Sequence, residues 1–118
     1  MATTVLIVDD HEPFRSAARR VLETEGFEIV GEAADGTSGL ALANDLRPDI
    51  VLLDVVLPDL NGFEVADRLA DGPSTVVLVS SRGRADFGRR LRQSPAAGFV
   101  SNDRLTGRRL RELHRRAR

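Results

Sequence analysis

The chain has 118 residues, 42% of them hydrophobic and 30% charged, which is typical of one globular domain and excludes a disordered segment. No apolar run approaches the roughly 20 residues of a membrane span, no signal peptide opens the sequence, and the absence of cysteine excludes disulfides and thiolate chemistry, so we expect a cytoplasmic protein. The net charge of −1 conceals a gradient, because residues 1–80 carry 15 acidic and 5 basic side chains whereas residues 81–118 carry 12 basic and 3 acidic ones.

Short apolar runs alternate with segments of helical spacing along the whole chain. In chain order the pattern predicts a strand at 5–8, a helix over 14–22, a strand at 27–30, a helix over 39–46, a strand at 50–53, a helix over 62–69, a strand at 76–79, an arginine-rich helix around 87–91, a short strand at 99–100 and a last helix over 110–117 capped by Thr106. This alternation indicates an α/β fold in which helices cover both faces of a parallel sheet. We expect a single domain over residues 1–118.

Carboxylates stand where two of the predicted strands end. Asp9 and Asp10 follow the first strand, Asp54 follows the third, and Ser80 ends the fourth. Ligands of open parallel sheets bind at the carboxyl ends of the strands, which lie about 4.8 Å apart, so the three carboxylates converge if the first and third strands are neighbours. Such a cluster favours a hard divalent cation such as Mg²⁺. The alternative is that acidic residues only favour the starts of the helices that follow.

Five motifs together resemble the receiver domains of two-component response regulators, in particular those linked to helix-turn-helix domains. The motifs are VLIVDDH at 5–11, PDIVLLD at 48–54, LPDLNG at 57–62, VSS at 79–81 and AGFV at 97–100. The resemblance covers essentially the whole chain. It implies a doubly wound (βα)5 fold, with five parallel strands in the flavodoxin-like order 2-1-3-4-5.

The resemblance also implies a role for each acidic residue. Asp54 would accept a phosphoryl group from a histidine kinase or a phosphotransfer protein, because a carboxylate is a competent nucleophile. Asp10 would bind Mg²⁺ directly and Asp9 through water, together with Asp54 and the backbone carbonyl of Val56. A dehalogenase-type phosphatase would need a second acid two residues after Asp54, where this chain has Val56.

Two further positions match the switch residues of the family. Ser80 matches the hydroxyl that reaches toward the phosphoryl oxygens, and Phe99 matches the aromatic residue that turns inward with it. An ordinary core role for Phe99 stays open. Phosphorylation would bias a two-state equilibrium of helix 4, strand 5 and helix 5, so the resemblance implies a signalling module and not an enzyme that turns over other substrates.

One position departs from the family. Receivers carry a lysine at the end of strand 5, where this chain has Asn102, and the chain has no lysine at all. A neutral amide makes a weaker bond than a charged group, so we expect a less stabilised phosphorylated state. Arg82 or Arg84 could substitute, although we favour solvated positions at the start of helix 4 for both. The alternative function is a pseudo-receiver that binds a partner without phosphorylation.

The arginines of the basic third define a candidate interaction surface. They fall on the predicted helices 4 and 5, at Arg84, Arg89, Arg90, Arg92, Arg108, Arg109, Arg111, Arg115, Arg116 and Arg118. We expect an acidic downstream protein or a homodimer on this face. Direct nucleic-acid binding is not expected, because the sequence offers neither a recognition-helix motif nor an aromatic platform. The domain is either a stand-alone receiver or the N-terminal part of a longer regulator, with no output domain in this sequence.

The two histidines are predicted to have no central role. His11 follows the acidic pair, and we expect it on the surface at the start of helix 1, with metal ligation as the alternative. His114 lies among arginines on the last helix, and we expect it to be solvated.

Overall fold

The structure is a computed structural model that describes residues 2–80 and 87–117. Its elements follow one another as β1 (Thr4–Val8), α1 (Glu12–Thr24), β2 (Glu28–Ala33), α2 (Gly36–Leu46), β3 (Ile50–Asp54), α3 (Gly62–Leu69), β4 (Thr75–Ser80), α4 (Gly88–Gln93), β5 (Gly98–Ser101) and α5 (Gly107–Arg116), with a 3₁₀ turn over Asn102–Arg104 between β5 and α5. The predicted alternation of strands and helices is confirmed.

The five strands form one parallel sheet in the order β2-β1-β3-β4-β5, as predicted. The register pairs Val8 of β1 with Leu53 of β3, and Asp54 at the end of β3 with Val79 of β4. The carboxyl ends of β1, β3 and β4 therefore meet at one edge of the sheet. The residues that follow these strands are brought together there.

The core consists of two layers, one on each face of the sheet. Leu6 and Val8 of β1 belong to the layer that contains buried residues of α2 and α3, whereas Val5 and Ile7 belong to the layer beneath α1 and α5. Successive side chains of a strand point to opposite faces, and both faces are covered. This arrangement explains why the strands are unbroken apolar runs in the sequence.

Three helices begin at side-chain caps that accept a main-chain N–H group. Asp35 accepts from the nitrogen of Ser38 at the start of α2, and Asn61 accepts from the nitrogen of Glu64 at the start of α3. Helix α2 begins earlier than its apolar stripe predicts, because the capped first turn carries small and polar residues. The predicted cap of α5 is confirmed, since the hydroxyl of Thr106 accepts from the nitrogen three residues later.

The prediction that His114 is solvated is wrong. Its Nδ1 lies 2.8 Å from the hydroxyl oxygen of Thr75, a buried residue at the start of β4. Helix α5 turns His114 toward the sheet, whereas Arg111 and Arg115 remain exposed. The helical spacing from Leu110 to His114 places the histidine beside the buried stripe, which explains the contact.

Helix α4 is short and has no buried residue. The predictions for Arg82, Arg84 and Arg118 fall outside the described residues. Among the helices that the structure does describe, none is both long enough and apolar enough to cross a membrane.

Candidate functional site

A pocket of about 460 Å³ opens at the carboxyl edge of the sheet. It contains every residue that the sequence assigned to metal binding, together with three neighbours. The lining residues are Asp9, Asp10, His11, Asp54, Val56, Ser80 and Asn102. They come from the ends of β1, β3 and β4 and from the turn after β5, so the fold gathers side chains that lie far apart in sequence.

Three carboxylates form the centre of this pocket. One oxygen from each of Asp9, Asp10 and Asp54 lies within 4.8 Å of the others. Asp9 is buried at the end of β1, Asp10 is exposed, and Asp54 is partly buried at the end of β3. A set of clustered carboxylate oxygens with solvent access has the donor chemistry that Mg²⁺ prefers, so the residues present fit this cation.

The surroundings raise the pKa of two of these carboxylates. Burial, together with the negative charge of Asp9, raises the pKa of Asp54 to about 7, even though the main-chain N–H group of Val56 donates to Oδ1 over 3.2 Å and favours the charged form. Burial also raises the pKa of Asp9, although Asp9 accepts a hydrogen bond of 2.8 Å from the nitrogen of His11. A charged cluster is therefore costly in this pocket unless a cation offsets the repulsion.

The loop after β3 is packed tightly against Asp54. The nitrogen of Gly62 donates to the main-chain oxygen of Val55 over 2.7 Å, and Val56 and Asn61 form an antiparallel bridge across the loop. A Cβ atom at Gly62 would collide with the main-chain oxygen of Asp54. The side chain of Val56 is 52% exposed at the mouth of the pocket, which suits a position that would contribute only its carbonyl.

Asp59 anchors the same loop to α2, a role that sequence analysis missed. Its carboxylate accepts from the nitrogen of Gly36 over 2.7 Å, from the nitrogen and hydroxyl of Thr37 over 2.9 and 2.6 Å, and from the nitrogen of Leu60 over 2.8 Å. The hydroxyl of Thr37 and these N–H groups hold the pKa of Asp59 well below its ordinary value. No local signal reveals the contact, because it joins residues 22 and 23 positions apart.

Ser80 and Asn102 form the wall of the pocket opposite Asp9 in the strand order. Ser80 is 2% exposed at the end of β4, where it pairs in register with Ser101 of β5. Asn102 opens the 3₁₀ turn that follows β5, and its Oδ1 is buried without a hydrogen-bond partner. Neither arginine nor lysine occurs among the described residues that line the pocket. The position that departs from the family thus belongs to the acidic pocket, whose described lining contains no lysine or arginine.

Phe99 does not line the acidic pocket. Its ring centroid lies 6.0 Å from that of Phe87 beside α4, which in turn lies 5.9 Å from the ring of Phe63 on α3. Phe99 is partly exposed and also borders a groove of about 410 Å³ with Arg104 and Arg109. The residue therefore connects the sheet to α4 and to the basic face at once, and both interpretations of it, core and switch, remain compatible with this position.

The arginines of the basic third have different environments. Arg90 stacks over the ring of Phe63 at 4.6 Å, and Arg111 stacks over the ring of Phe27 at 4.3 Å. Arg108 and Arg109 pair with Glu112 on the same helix. The remaining arginines of this described region, Arg89, Arg92, Arg104, Arg115 and Arg116, are exposed. This face therefore offers several positive charges to a partner.

The fold and the pocket together define a class of α/β domain with an acidic site at the switch point of a doubly wound sheet. The sequence model of the family described as the response regulator receiver domain matches residues 5–112. The chain belongs to this family, as the resemblance of its motifs predicted.

Individual relatives agree with this assignment. The chain is 42% identical over 102 residues to the regulator BvgA of Bordetella pertussis, covering 85% of the chain and 49% of BvgA. It is 39% identical over 100 residues to the response regulator GacA of Pseudomonas aeruginosa, covering 82% of the chain and 47% of GacA. The signal receiver domain of NarL from Mycobacterium tuberculosis is 30% identical and superposes with a TM-score of 0.87, covering 97% of both chains. The chain thus spans about half the length of BvgA and of GacA.

Proposed function

We propose that this receiver domain is the phosphoacceptor module of a two-component phosphorelay. Asp54 is the acceptor, and a histidine kinase or a phosphotransfer protein is the donor. The observation that carries the proposal is the cluster of Asp9, Asp10 and Asp54, which surrounds one nucleophilic carboxylate with two further acidic ligands at the open edge of the sheet. The domain is then a signalling module and not an enzyme that acts on a separate substrate.

The chemistry follows from the carboxylate of Asp54. One of its oxygens attacks the phosphorus atom, the bond from phosphorus to the donor nitrogen breaks, and the product is an acyl phosphate on Asp54 with the imidazole released. Asp54 must be deprotonated to attack, and its raised pKa shows that the pocket on its own does not favour this state. Asp9, Asp10, Asp54 and the carbonyl of Val56 would hold Mg²⁺. When bound, this cation neutralises charge on the carboxylates and on the phosphoryl oxygens.

The response to phosphorylation would pass from β4 to β5. A phosphoryl group adds roughly 1.5 to 2 negative charges and three acceptor oxygens beside Asp54. Ser80 is the hydroxyl of the pocket wall that can donate to them, and it is paired in register with β5. Phe99 lies on the same strand and packs against Phe87, so a shift of β5 alters the packing of α4. The output is a changed α4–β5–α5 surface, which an acidic protein or a second copy of the chain would read.

Intact-mass measurement tests the proposal directly. The protein is incubated with Mg²⁺ and acetyl phosphate, beside an Asp54→Ala variant and a sample with EDTA. We expect the mass of one phosphoryl group on the unmodified chain and on neither control. A protein that is folded and binds Mg²⁺ but gains no mass would contradict the proposal. A gain that persists in Asp54→Ala would place the acceptor elsewhere.

Asn102 favours a second candidate, a pseudo-receiver that binds its partner without phosphorylation. The pocket has no lysine or arginine among its described lining residues, and the amide of Asn102 supplies only neutral hydrogen bonds. Partner binding that is the same with and without acetyl phosphate, and that survives Asp54→Ala, would support this candidate. Asn102→Lys separates the two, since it should strengthen phosphorylation-dependent binding if Asp54 is the acceptor.

A further inference from the structure

Arg15 connects helix α1 to the end of strand β1, next to the acidic pocket. Its Nη1 donates to the main-chain oxygen of Asp9 over 2.7 Å, and its side chain is only 16% exposed. The nitrogen of Asp9 donates to the main-chain oxygen of Ala33 on β2 over 3.0 Å, and the carboxylate of Asp9 accepts from the nitrogen of His11 over 2.8 Å. Asp9 is therefore held at its nitrogen, at its carbonyl oxygen and at its side chain.

The guanidinium of Arg15 is itself held by Glu32 on β2. Its Nε lies 3.1 Å from Oε1 of Glu32, while the other oxygen of Glu32 accepts from Nε of Arg19 over 2.7 Å. Arg19 lies one turn further along α1 and also pairs with Glu23 over 3.2 Å. The two arginines share one carboxylate, but among the described contacts only Arg15 reaches Asp9.

The position of Arg15 allows its effect on the main chain of Asp9 to be distinguished from its effect as a nearby positive charge. Arg15 does not line the pocket, and it contacts Asp9 at the main-chain oxygen rather than at the carboxylate. A charged donor makes a stronger and more directional bond than a neutral one. Arg15 can thus fix the orientation of the peptide between Asp9 and Asp10 without bonding to the carboxylate oxygens that would hold a cation.

We propose that Arg15 is a positioning residue for the divalent cation, because it holds the end of β1 so that the carboxylates of Asp9 and Asp10 converge with that of Asp54. This inference deepens the proposed function and rests on it. It makes a prediction opposite in sign to a simple charge effect. Removing a positive charge near three carboxylates should strengthen the binding of Mg²⁺ by Coulomb attraction alone, whereas loss of the orientation weakens it.

Titration calorimetry with Mg²⁺ on the full chain tests whether the loss of Arg15 weakens or strengthens Mg²⁺ binding. Arg15→Met should raise the Kd for Mg²⁺ about tenfold. Arg19→Met is the matched control, because it removes the same charge and the other bond to Glu32 but no bond to Asp9, and its Kd should stay within about twofold of the unmodified chain. Arg15→Lys keeps the charge but lacks the planar fork that bonds both Glu32 and Asp9, so it should weaken binding by a smaller factor than Arg15→Met.

A second readout uses no metal. In the metal-free protein, the amide resonances of Asp9, Asp10 and His11 should shift in Arg15→Met and stay in place in Arg19→Met. Circular dichroism establishes that each variant is folded. If Arg15→Met does not fold, Arg15→Lys carries the test, and an affinity equal to that of the unmodified chain would overturn the inference.

The outcomes also distinguish the inference from the proposed function. An unmodified chain that binds no Mg²⁺ would overturn the metal site and the role of Arg15 with it. An unmodified chain that binds Mg²⁺ while Arg15→Met binds it equally well or more tightly would overturn the role of Arg15 alone. The same holds if Arg19→Met loses as much affinity as Arg15→Met, since the cause would then be the shared loss of a bond to Glu32.

Discussion

The β1–β3 side of the sheet, with α3, and the β5 side, with α4, differ in how closely their residues are packed. On one side, residues 5–8 of β1 are completely buried, and five of the eight residues of α3 are buried. On the other side, only Val100 of β5 is buried, and α4 has no buried residue. The carboxylates stand on the firmly packed side, and the surface proposed to respond lies on the loosely packed one. In the proposed function, a site that needs fixed geometry and an element that moves would thus be separated within 118 residues.

The contrast in packing can be measured with two leucines that both lie on helices. Leu22 of α1 is completely buried, whereas Leu91 of α4 is partly exposed. Leu22→Ala should lower the free energy of unfolding by about 4 kcal/mol, because it leaves a cavity in a closed core, and Leu91→Ala by about 1 kcal/mol. Urea denaturation followed by circular dichroism gives both values. Equal losses would refute the contrast between the two sides.

Substitution at Gly62 should disturb the firmly packed side at the site itself. Gly62→Ala places a Cβ against the main-chain oxygen of Asp54, and neither backbone can yield cheaply. We expect a loss of about 3 kcal/mol in the free energy of unfolding, together with weaker Mg²⁺ binding. Gly72→Ala is the control, because its nearest contact is at 3.4 Å and the site is exposed. A Gly62→Ala protein as stable as Gly72→Ala would show that the loop is not tightly packed.

The cost of charge in the pocket predicts a pH-dependent stability in the metal-free protein. Because folding raises the pKa of Asp54 to about 7, its contribution to stability is fully present below about pH 4, declines as pH rises, and is lost once pH passes about 7. Discounted for solvent that reaches the pocket, this contribution is about 2 kcal/mol. In EDTA, Asp54→Asn should therefore be more stable than the unmodified chain at pH 8 and equally stable near pH 4. A constant difference across this range would contradict the assignment to Asp54.

The smallest effect is expected at Asp59, on the exposed face of the loop. Its lowered pKa means that its contribution to stability is present above about pH 4 and is lost as pH falls through the pKa of the folded state. Asp59→Asn should lower Tm at pH 7 by about 3 °C, since it weakens the anchor to α2. Asp67→Asn removes the same charge from an exposed position on α3 and should leave Tm unchanged. The difference between Asp59→Asn and the unmodified chain should shrink as pH falls below about 4, but part of it should persist at pH 3, because the carboxylate is still ionised in the folded state there.

Much of the fold could be predicted because it rests on short-range pattern. Unbroken apolar runs marked the strands, and strand ends placed Asp9, Asp10 and Asp54 at one edge of the sheet. The start of α2 was misplaced by three residues, because its first turn is defined by the Asp35 cap and not by an apolar stripe. The helix at α4 was located through Phe87 and Leu91, although none of its residues is buried.

The side-chain contacts between elements could not be predicted in the same way. The bond of Arg15 to Asp9, the anchoring of α2 by Asp59 and the contact of His114 with Thr75 all join different elements. Each depends on where a helix lies against the sheet, which periodicity does not specify. Residue type does not indicate these contacts either, because charged side chains on helices are ordinarily solvated.

The anchoring of the β3–α3 loop by Asp59 has a mechanical consequence. Displacement of this loop away from α2 must stretch three hydrogen bonds, so that flank of the pocket is stiff. The ring of Phe99 on β5 is held against that of Phe87 by packing, which yields more easily than hydrogen bonds to a carboxylate, so the β5 side is more compliant. A force applied at Asp54 therefore displaces the compliant β5 side more than the loop after β3. The carboxylate of Asp59 sets this direction of deformation.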